Sequence, residues 1–370
     1  MIPSAKPHFM EEDIKPILSE IEVILRGGKL ALGEKVLAFE QKFAAYTGSQ
    51  HAIAVNSGTS TLEIILRYYG IEQQEVVVPT NSFVASANAV FFAGGTPVLA
   101  DIREDTLCLD PTDLKKRITK KTKAVIVVHL AGLPCPQMAE IIDICDRNGL
   151  VLIEDAAQAH GAILGNKKIG SLSAAASFSF FSTKVITTGE GGMITTDDGK
   201  LSDYARSVRH HGYENDLFVR LGHNWRMTEI QAVLGLYQLE RIEQFIRKRN
   251  EVASRYRELL ADLKKLRFID VPLGARQSYY KFPVIIDASI DTVKLMAEMK
   301  QKHQIALAPL YYPPIHLQPF YRSLGYREGQ LPVAERVLRQ QLCLPMYYAI
   351  AEQEIRQVAD ALRQCLGAQG

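Results

Sequence analysis

Cysteine is scarce in this sequence, which has five cysteines among 370 residues and no CxxC spacing. A small, odd and scattered set argues against both a disulfide framework and a zinc site, so we expect no metal and a reducing, cytoplasmic location. Long apolar runs are also missing. No stretch approaches the roughly 20 residues that cross a bilayer, and the first residues lack the apolar segment of a signal peptide. The sequence therefore predicts a protein without membrane contact.

A charge bias is missing as well. The formal net charge is +2, and no run of five or six like charges occurs. The basic clusters at 115–117 and 247–249 are typical of solvated helix faces, so nucleic-acid binding is disfavoured. The hydrophobic content of 47% and the charged content of 23% are those of an ordinary globular protein. Because the chain is longer than one core usually grows, we predict a large domain at 1–245 and a small α+β domain at 246–370.

Apolar runs that end in turn residues alternate with segments of helical period in the first half of the chain. The runs are HAIAV, VVVP, PVLADI, KAVIVVHL and LVLIED, and the helical segments are TSTLEIILRYYG, SANAVFFA and QMAEIIDICDRNG. This order is that of βαβ units. Strands that are apolar throughout are buried on both faces, so we predict an α/β fold with a mostly parallel sheet between helices.

The flanking segments are predicted from the same periodicities. Residues 11–46 have the pattern of helices interrupted by glycines, and 229–263 form one long amphipathic helical stretch. Further short strands are expected at SFSFF and GGMITTDD, and another at YKFPVII. Two helical segments and proline-rich loops complete the small domain.

Open parallel sheets bind ligands beyond the carboxyl ends of their strands, and polar residues follow several of these runs. Gly58, Thr59 and Ser60 open a helix after the first run, which suits either a phosphate or an ordinary helix cap. Asp155 ends LVLIED, where a carboxylate can hold a pyridine nitrogen protonated, cap a helix or bind a metal. Gln158, three residues later, can reach the same ligand.

Lys184 leaves an apolar strand and enters a glycine-containing loop. In a partly dry pocket its amine would lose charge readily and form a Schiff base, whereas most lysines are surface residues. The loop 222–228 contains the single tryptophan and precedes a helix capped by Thr228, so it is either a ligand loop or a plain helix start.

Taken in order, these segments resemble the DegT/DnrJ/EryC1/StrS aminotransferase family over nearly the whole chain. The motifs that carry the resemblance are Gly58-Thr59-Ser60, residues 79–83, the run EDAAQAHG at 154–161, Ser179 followed by Lys184, and Asn224-Trp225-Arg226-Met227. Each is weak alone, but the ordered set is specific. The resemblance implies the aspartate-aminotransferase-like fold type I of pyridoxal-phosphate enzymes and a homodimer with active sites shared between subunits.

The resemblance also implies a role for individual residues. Lys184 is similar to the lysine that forms the aldimine with pyridoxal 5'-phosphate and later moves the proton. The other implied cofactor contacts are Asp155 to the ring nitrogen, Gln158 to the phenolic oxygen, Phe83 stacked on the ring, Gly58, Thr59, Ser60 and Ser179 around the phosphate, and Asn224 reaching the phosphate from the other subunit. The substrate side is assigned to His160, Arg226, Tyr312 and His316, although Arg226 suits an interface salt bridge equally well.

The activity implied is a ping-pong transfer of an amino group from L-glutamate to a keto sugar, usually nucleotide-linked. Three alternative functions would each require a further sequence feature. A sugar dehydratase of the same fold carries histidine at the lysine position, a regulatory protein would add a basic DNA-binding segment, and a Rossmann dehydrogenase requires a glycine fingerprint; none of these features is seen in the sequence. Departures from the family pattern at Leu30–Glu34, Tyr311-Tyr312 and Val185-Ile186 leave the acceptor open.

Overall fold

The computed structural model describes residues 1–367. Within them lie the helices α1 (Glu11–Gly27), α2 (Glu34–Thr47), α3 (Gly58–Tyr68), α4 (Ala85–Phe92), α5 (Pro111–Arg117), α6 (Met138–Asn148), α7 (Gly199–Val208), α8 (Glu229–Glu240), α9 (Ile242–Leu259), α10 (Thr292–His303), α11 (Pro319–Ser323), α12 (Pro332–Gln340) and α13 (Glu352–Gly367). The strands are β1 (His51–Val55), β2 (Glu75–Pro79), β3 (Thr96–Ala100), β4 (Thr122–Val128), β5 (Val151–Asp155), β6 (Ile163–Leu164), β7 (Lys167–Lys168), β8 (Ala175–Ser179), β9 (Gly192–Thr196), β10 (Tyr213–Glu214), β11 (Leu217–Phe218), β12 (Leu266–Phe268), β13 (Ala275–Arg276), β14 (Phe282–Ile286) and β15 (Gln341–Leu344).

A seven-stranded sheet of order β1-β9-β8-β5-β4-β2-β3 forms the centre of the molecule. All neighbouring pairs from β8 to β3 are parallel, and β9 runs antiparallel to both β8 and β1. Its interior residues, such as Ile53, Val77 and Val125, are fully buried because helices cover both faces. The predicted α/β fold with a mostly parallel sheet is confirmed.

The register of this sheet brings several strand ends to one edge. Asp155 pairs with Val128 of β4 and with Ser177 of β8, while Ser179 pairs with Gly192 of β9. Gly192 also pairs with Val55, the last residue of β1. The loops that follow β1, β5 and β8 therefore leave the sheet side by side.

The glycine break predicted within residues 11–46 is confirmed, whereas the stretch 229–263, predicted as one helix, is divided in two. Residues 11–46 form α1 and α2, with Gly28 ending α1 at a left-handed φ of 73°. The predicted stretch 229–263 forms α8 and α9, which break at Arg241 with φ −96° and ψ −3°. At this break the guanidinium of Arg241 donates to both carboxylate oxygens of Asp13 on α1, at 2.9 and 2.6 Å. The helical period of the sequence does not indicate this contact.

The C-terminal part contains an antiparallel sheet, β12-β14-β15, packed against α10 and α13 over its own apolar cluster. The strand predicted at 280–286 is β14. Four helices stand where two were predicted, since α11 and α12 are short segments that begin at a proline. A division of the chain at residue 245 stays a prediction. No helix among residues 1–367 is both long enough and apolar enough to cross a membrane.

Candidate active site

A cavity of about 450 Å³ opens at the edge where β1, β5 and β8 end. Seven of the residues singled out in the sequence line it: Gly58, Thr59, Phe83, Asp155, Gln158, Ser179 and Lys184. They come from four separate loops, and the sheet register explains why these loops meet.

The start of α3 forms one wall of the cavity. The first N–H groups of a helix have no intrahelical acceptor, and here the side chain of Ser57 accepts from the N–H of Ser60 at 3.2 Å. Gly58 and Thr59 precede Ser60 and line the cavity at the N-terminus of α3, where the helix dipole favours an anion. A Cβ at Gly58 would lie 2.8 Å from the Cβ of Ser179, so only glycine permits this close approach.

Ser60 is placed differently from its two neighbours. It is buried, and its hydroxyl bonds Asn56 at 2.8 Å and Ser57 at 2.9 Å. Its side chain therefore supports the helix start and does not line the cavity.

Asp155 and Gln158 project from the end of β5. The Oδ1 atom of Asp155 accepts the N–H of Ala157 at 3.1 Å, and its Oδ2 atom accepts the hydroxyl of Ser86 at 2.6 Å. The Oε1 atom of Gln158 accepts the N–H of Ala131 at 2.8 Å, which fixes the orientation of the amide. The side-chain NH₂ of Gln158 is then left as the donor toward the cavity.

Lys184 follows β8 in a turn whose geometry is fixed by its own N–H, which donates to the carbonyl of Phe181 at 2.9 Å. Its Nζ atom lies 4.5 Å from the ring centroid of Tyr280. Burial lowers the pKa of the Lys184 amine from 10.5 to about 8; Asp155 opposes the shift and Lys281 reinforces it. About a tenth of this amine is therefore uncharged at pH 7, far more than for a lysine with the usual pKa of 10.5, and the uncharged form is the nucleophile.

Phe83 lies at the mouth of the cavity with 59% of its surface exposed. Its ring centroid is 6.2 Å from that of Tyr311, which lines the same cavity. An aromatic face so exposed is available to stack on a flat ligand.

Two of the predicted histidines lie outside the cavity. His160 is fully buried against Phe178 and Phe180, and burial together with the nearby Lys184 lowers its pKa to about 3. His316 is also fully buried, with its ring nitrogens 2.8 Å from Thr80 Oγ1 and 2.9 Å from Glu335. The structure does not bring either ring to the ligand cavity.

The other three predicted residues lie apart from the cavity of their own chain. Asn224 is exposed and pairs through its backbone with His210, and the guanidinium of Arg226 lies 2.6 Å from Nδ1 of the same histidine. Tyr312 lines a neighbouring cavity of about 660 Å³, which shares Phe83 and Tyr311 with the first.

Nine further residues line the cavity and were not predicted as ligands, among them Ser86, Glu190, Tyr280 and Tyr311. Ser86 lies in the first turn of α4, where serine is common, so its sequence position alone does not indicate a ligand. Glu190 lies between the glycines of the loop after Lys184, and its position beside Gly191 was the available signal. Tyr280 and Tyr311 come from the C-terminal part of the chain, and no local pattern indicates that this part folds back over the sheet.

Comparison with known proteins agrees with this geometry. The model of the DegT/DnrJ/EryC1/StrS aminotransferase family matches residues 11–363. The GDP-perosamine synthase of Caulobacter vibrioides is 38% identical, over 91% of both chains. The dTDP-3-amino-3,4,6-trideoxy-alpha-D-glucose transaminase of Micromonospora megalomicea is 32% identical, over 96% of both.

Solved structures show the same fold. DesV of S. venezuelae, crystallised with a ketimine intermediate, superposes with a TM-score of 0.92 at 33% identity, covering 96% of this chain and 95% of that one. The predicted fold type I is thereby confirmed. With a family match over nearly its full length, the chain belongs to the DegT/DnrJ/EryC1/StrS family of pyridoxal-phosphate-dependent aminotransferases.

Proposed function

We propose that this chain transfers an amino group from L-glutamate to a nucleotide-linked keto sugar, by a ping-pong mechanism in the cytoplasm, with Lys184 as the catalytic residue. The observation that carries the proposal is the placement of the Lys184 amine, with its pKa lowered to about 8, in one cavity with Asp155 and the start of α3. A reactive amine, a carboxylate and an anion site together match the aldehyde, ring nitrogen and phosphate of pyridoxal phosphate.

The residues present fit this cofactor. The N–H groups of Gly58 and Thr59 and the hydroxyl of Ser179 would hold the phosphate, since a helix start with hydroxyl neighbours is an anion site. Asp155 would face the ring nitrogen, and the free NH₂ of Gln158 would donate to the phenolic oxygen. These groups come from the three segments that follow β1, β5 and β8 at the edge of the sheet.

The exposed ring of Phe83 would cover one face of the cofactor. We further propose that the chain forms a homodimer, in which Asn224 of the partner subunit completes the phosphate site. Asn224 is exposed and does not line the cavity of its own chain, which agrees with this role.

When bound, pyridoxal phosphate takes up an amine at its aldehyde carbon, and its protonated ring draws electron density from the carbon that carries this amine. Lys184 would hold the cofactor at rest, and its amine would become free when the donor amine takes its place. The free amine would then carry a proton from the donor carbon to the C4′ carbon of the cofactor, and in the second half-reaction it would carry a proton from C4′ to the acceptor carbon. An amine with a pKa near 8 can perform both transfers near neutral pH.

The acceptor class is supported by the relatives and by the shape of the site. The two relatives described above are named for GDP- and dTDP-linked sugars. The cavity of about 660 Å³ beside the Lys184 cavity provides room for an acceptor larger than a free sugar. We place Tyr312 on the acceptor side because it lines this second cavity.

The visible absorption spectrum tests the proposal. Wild type and Lys184→Ala are each mixed with pyridoxal phosphate, then with excess L-glutamate, and 2-oxoglutarate is assayed. We expect wild type to show the band of the lysine-bound cofactor, to lose it with glutamate, and to form 2-oxoglutarate in an amount equal to the enzyme. The variant should do none of these. GDP- and dTDP-linked keto sugars are then tested for restoring the band.

Two other results would contradict either the proposed reaction or the proposed acceptor. A wild type that binds the cofactor but reacts with no amino donor would favour the dehydratase or regulatory alternatives. A wild type that reacts with glutamate but aminates no nucleotide-linked keto sugar would overturn the acceptor alone.

A further inference from the structure

A chain of three buried polar groups ends on the carboxylate of Asp155. The Oγ atom of Ser86 donates to Asp155 Oδ2 at 2.6 Å, and the Oγ atoms of Ser82 and Ser86 are 2.6 Å apart. All three side chains are at most 5% exposed. Both serine contacts are therefore shielded from water. A hydrogen bond to a charged group is strongest in such a dry environment.

The chemistry fixes the direction of the protons along this chain. An ionised carboxylate only accepts, so Ser86 must donate its hydroxyl proton to Asp155. The oxygen of Ser86 then accepts the proton of Ser82. Each bond polarises the next, so both hydroxyl dipoles are directed toward the carboxylate of Asp155.

We propose that Ser86, supported by Ser82, is a positioning residue that holds Asp155 as an oriented, ionised partner for the cofactor's ring nitrogen. The inference rests on the proposed function and adds to it two residues without an assigned role. Ser86 lines the cavity beside Asp155, and the same turn supplies Phe83, whose carbonyl accepts the N–H of Ser86 at 3.1 Å. One short segment therefore fixes both the ring that would cover the cofactor and the carboxylate at its nitrogen.

A purely structural role would leave the electronic state of the cofactor unchanged, so the test reads that state directly. Wild type, Ser86→Ala, Ser86→Thr and Ser82→Ala are reconstituted with pyridoxal phosphate carrying ¹⁵N in the ring, and the nitrogen chemical shift is measured at one pH. We expect wild type and Ser86→Thr, which keeps the hydroxyl, to show a protonated nitrogen. Ser86→Ala should shift toward the unprotonated value, and Ser82→Ala should lie between them.

Steady-state kinetics of the same variants provide a second measurement. Loss of one hydrogen bond to a charged group predicts a fall in kcat of about tenfold for Ser86→Ala. The KM for L-glutamate should stay within about twofold, because in this proposal Ser86 acts on the cofactor through Asp155 and does not bind the donor. Ser86→Thr should recover most of the rate.

Each outcome decides between positioning and packing. A wild-type nitrogen shift in Ser86→Ala, or equal losses in Ser86→Ala and Ser86→Thr, would overturn the proposal. If Ser86→Ala does not fold or bind the cofactor, Ser82→Ala decides: an altered nitrogen shift supports the chain of hydrogen bonds, and an unaltered one refutes it. Failure of wild type itself to bind would reject the proposed function and this inference together, whereas a normal wild type with unaffected variants rejects the inference alone.

Discussion

Burial of the charged Lys184 amine should lower the free energy of unfolding of the cofactor-free protein. Its pKa is about 8 in the folded chain and 10.5 without burial, so below pH 8 the folded state holds a charged amine in an unfavourable environment. Lys184→Met should therefore stabilise the cofactor-free protein at pH 7. We expect a gain on the order of 2 kcal/mol, since a pKa unit corresponds to about 1.4 kcal/mol and solvent in the cavity screens part of the shift.

The sign of this effect can be checked with pH. Between pH 8 and 10.5 the unfolded wild type binds more protons than the folded one, so wild-type stability rises toward that of the variant. Urea unfolding at pH 7 and at pH 10.5 should show the difference shrinking. Lys120→Met, at an exposed lysine, is the control and should change stability by less than about 0.5 kcal/mol at either pH. Equal stability of wild type and Lys184→Met at pH 7 would contradict the lowered pKa.

Single residues also show where prediction from sequence ends. Asp155 and Lys184 were predicted because each directly follows an apolar strand, and the parallel sheet brings such positions to one edge. His160 lies in the same loop as Asp155, yet its ring turns into the core between Phe178 and Phe180. The direction of a loop side chain depends on tertiary packing. Packing of this kind leaves no periodic pattern in the sequence, so the direction could not be predicted.

Among the elements, the start of α2 depends on a residue of α8. The buried carboxylate of Glu229 accepts the N–H groups of Gly33 and Lys35 at 2.9 Å and of Val36 at 3.1 Å. Glu229→Ala would leave these donors unpaired, and we expect it to lower the free energy of unfolding by roughly 2–3 kcal/mol. Glu34→Ala, in the same turn but exposed, should cost less than about 1 kcal/mol. Similar losses for the two variants in urea titrations would refute this capping role.

The approach of β9 to the start of α3 is a second contact between elements. A Cβ at Gly192 would lie 2.3 Å from the carbonyl oxygen of Ser57 and 2.9 Å from the N of Gly58. Gly192→Ala should push the start of α3, the proposed phosphate site, outward, which should cost about 1–3 kcal/mol of stability and weaken pyridoxal phosphate binding.

Gly27→Ala is the matched control for this change. A Cβ at Gly27, the last residue of α1, meets no atom within 4 Å, so this variant should gain up to about 1 kcal/mol and bind the cofactor normally. The measurements are thermal unfolding and titration with the cofactor. Normal cofactor affinity in Gly192→Ala would show that the phosphate site tolerates the shift.

The order of elements was more predictable than their ends. The βαβ alternation from 51 to 155 has a clear period, and the structure follows it from β1 to β5. The ribbon β10–β11 and the short strands β6, β7 and β13 have two residues each, too few for any alternation to be recognised. The same holds for α11, which has five residues.

At the scale of the whole molecule, one chain supplies an incomplete set of the predicted cofactor residues. Seven of them line one cavity, whereas Ser60 supports the start of α3 and Asn224 is exposed and does not line the cavity. A single sequence indicates that Asn224 is polar and lies in a loop, but it does not indicate which residues of one copy would reach a site in another. The proposed homodimer would give the exposed Asn224 a place in the partner's site.

This assembly can be tested by mixing two impaired variants. Lys184→Ala removes the amine of a site, and Asn224→Asp places a negative charge where the phosphate of the partner's site would lie, so each homodimer should be nearly inactive. If each site takes Lys184 from one subunit and Asn224 from the other, a hybrid dimer has one intact site and one doubly altered site. Random exchange of subunits makes half of the dimers hybrid, so activity should recover to about a quarter of wild type. Recovery should require conditions that let subunits exchange, checked by native mass spectrometry of differently tagged chains. Hybrid dimers without recovered activity would place both residues in the same subunit's site, and the shared active site would have to be abandoned even if the protein is a dimer.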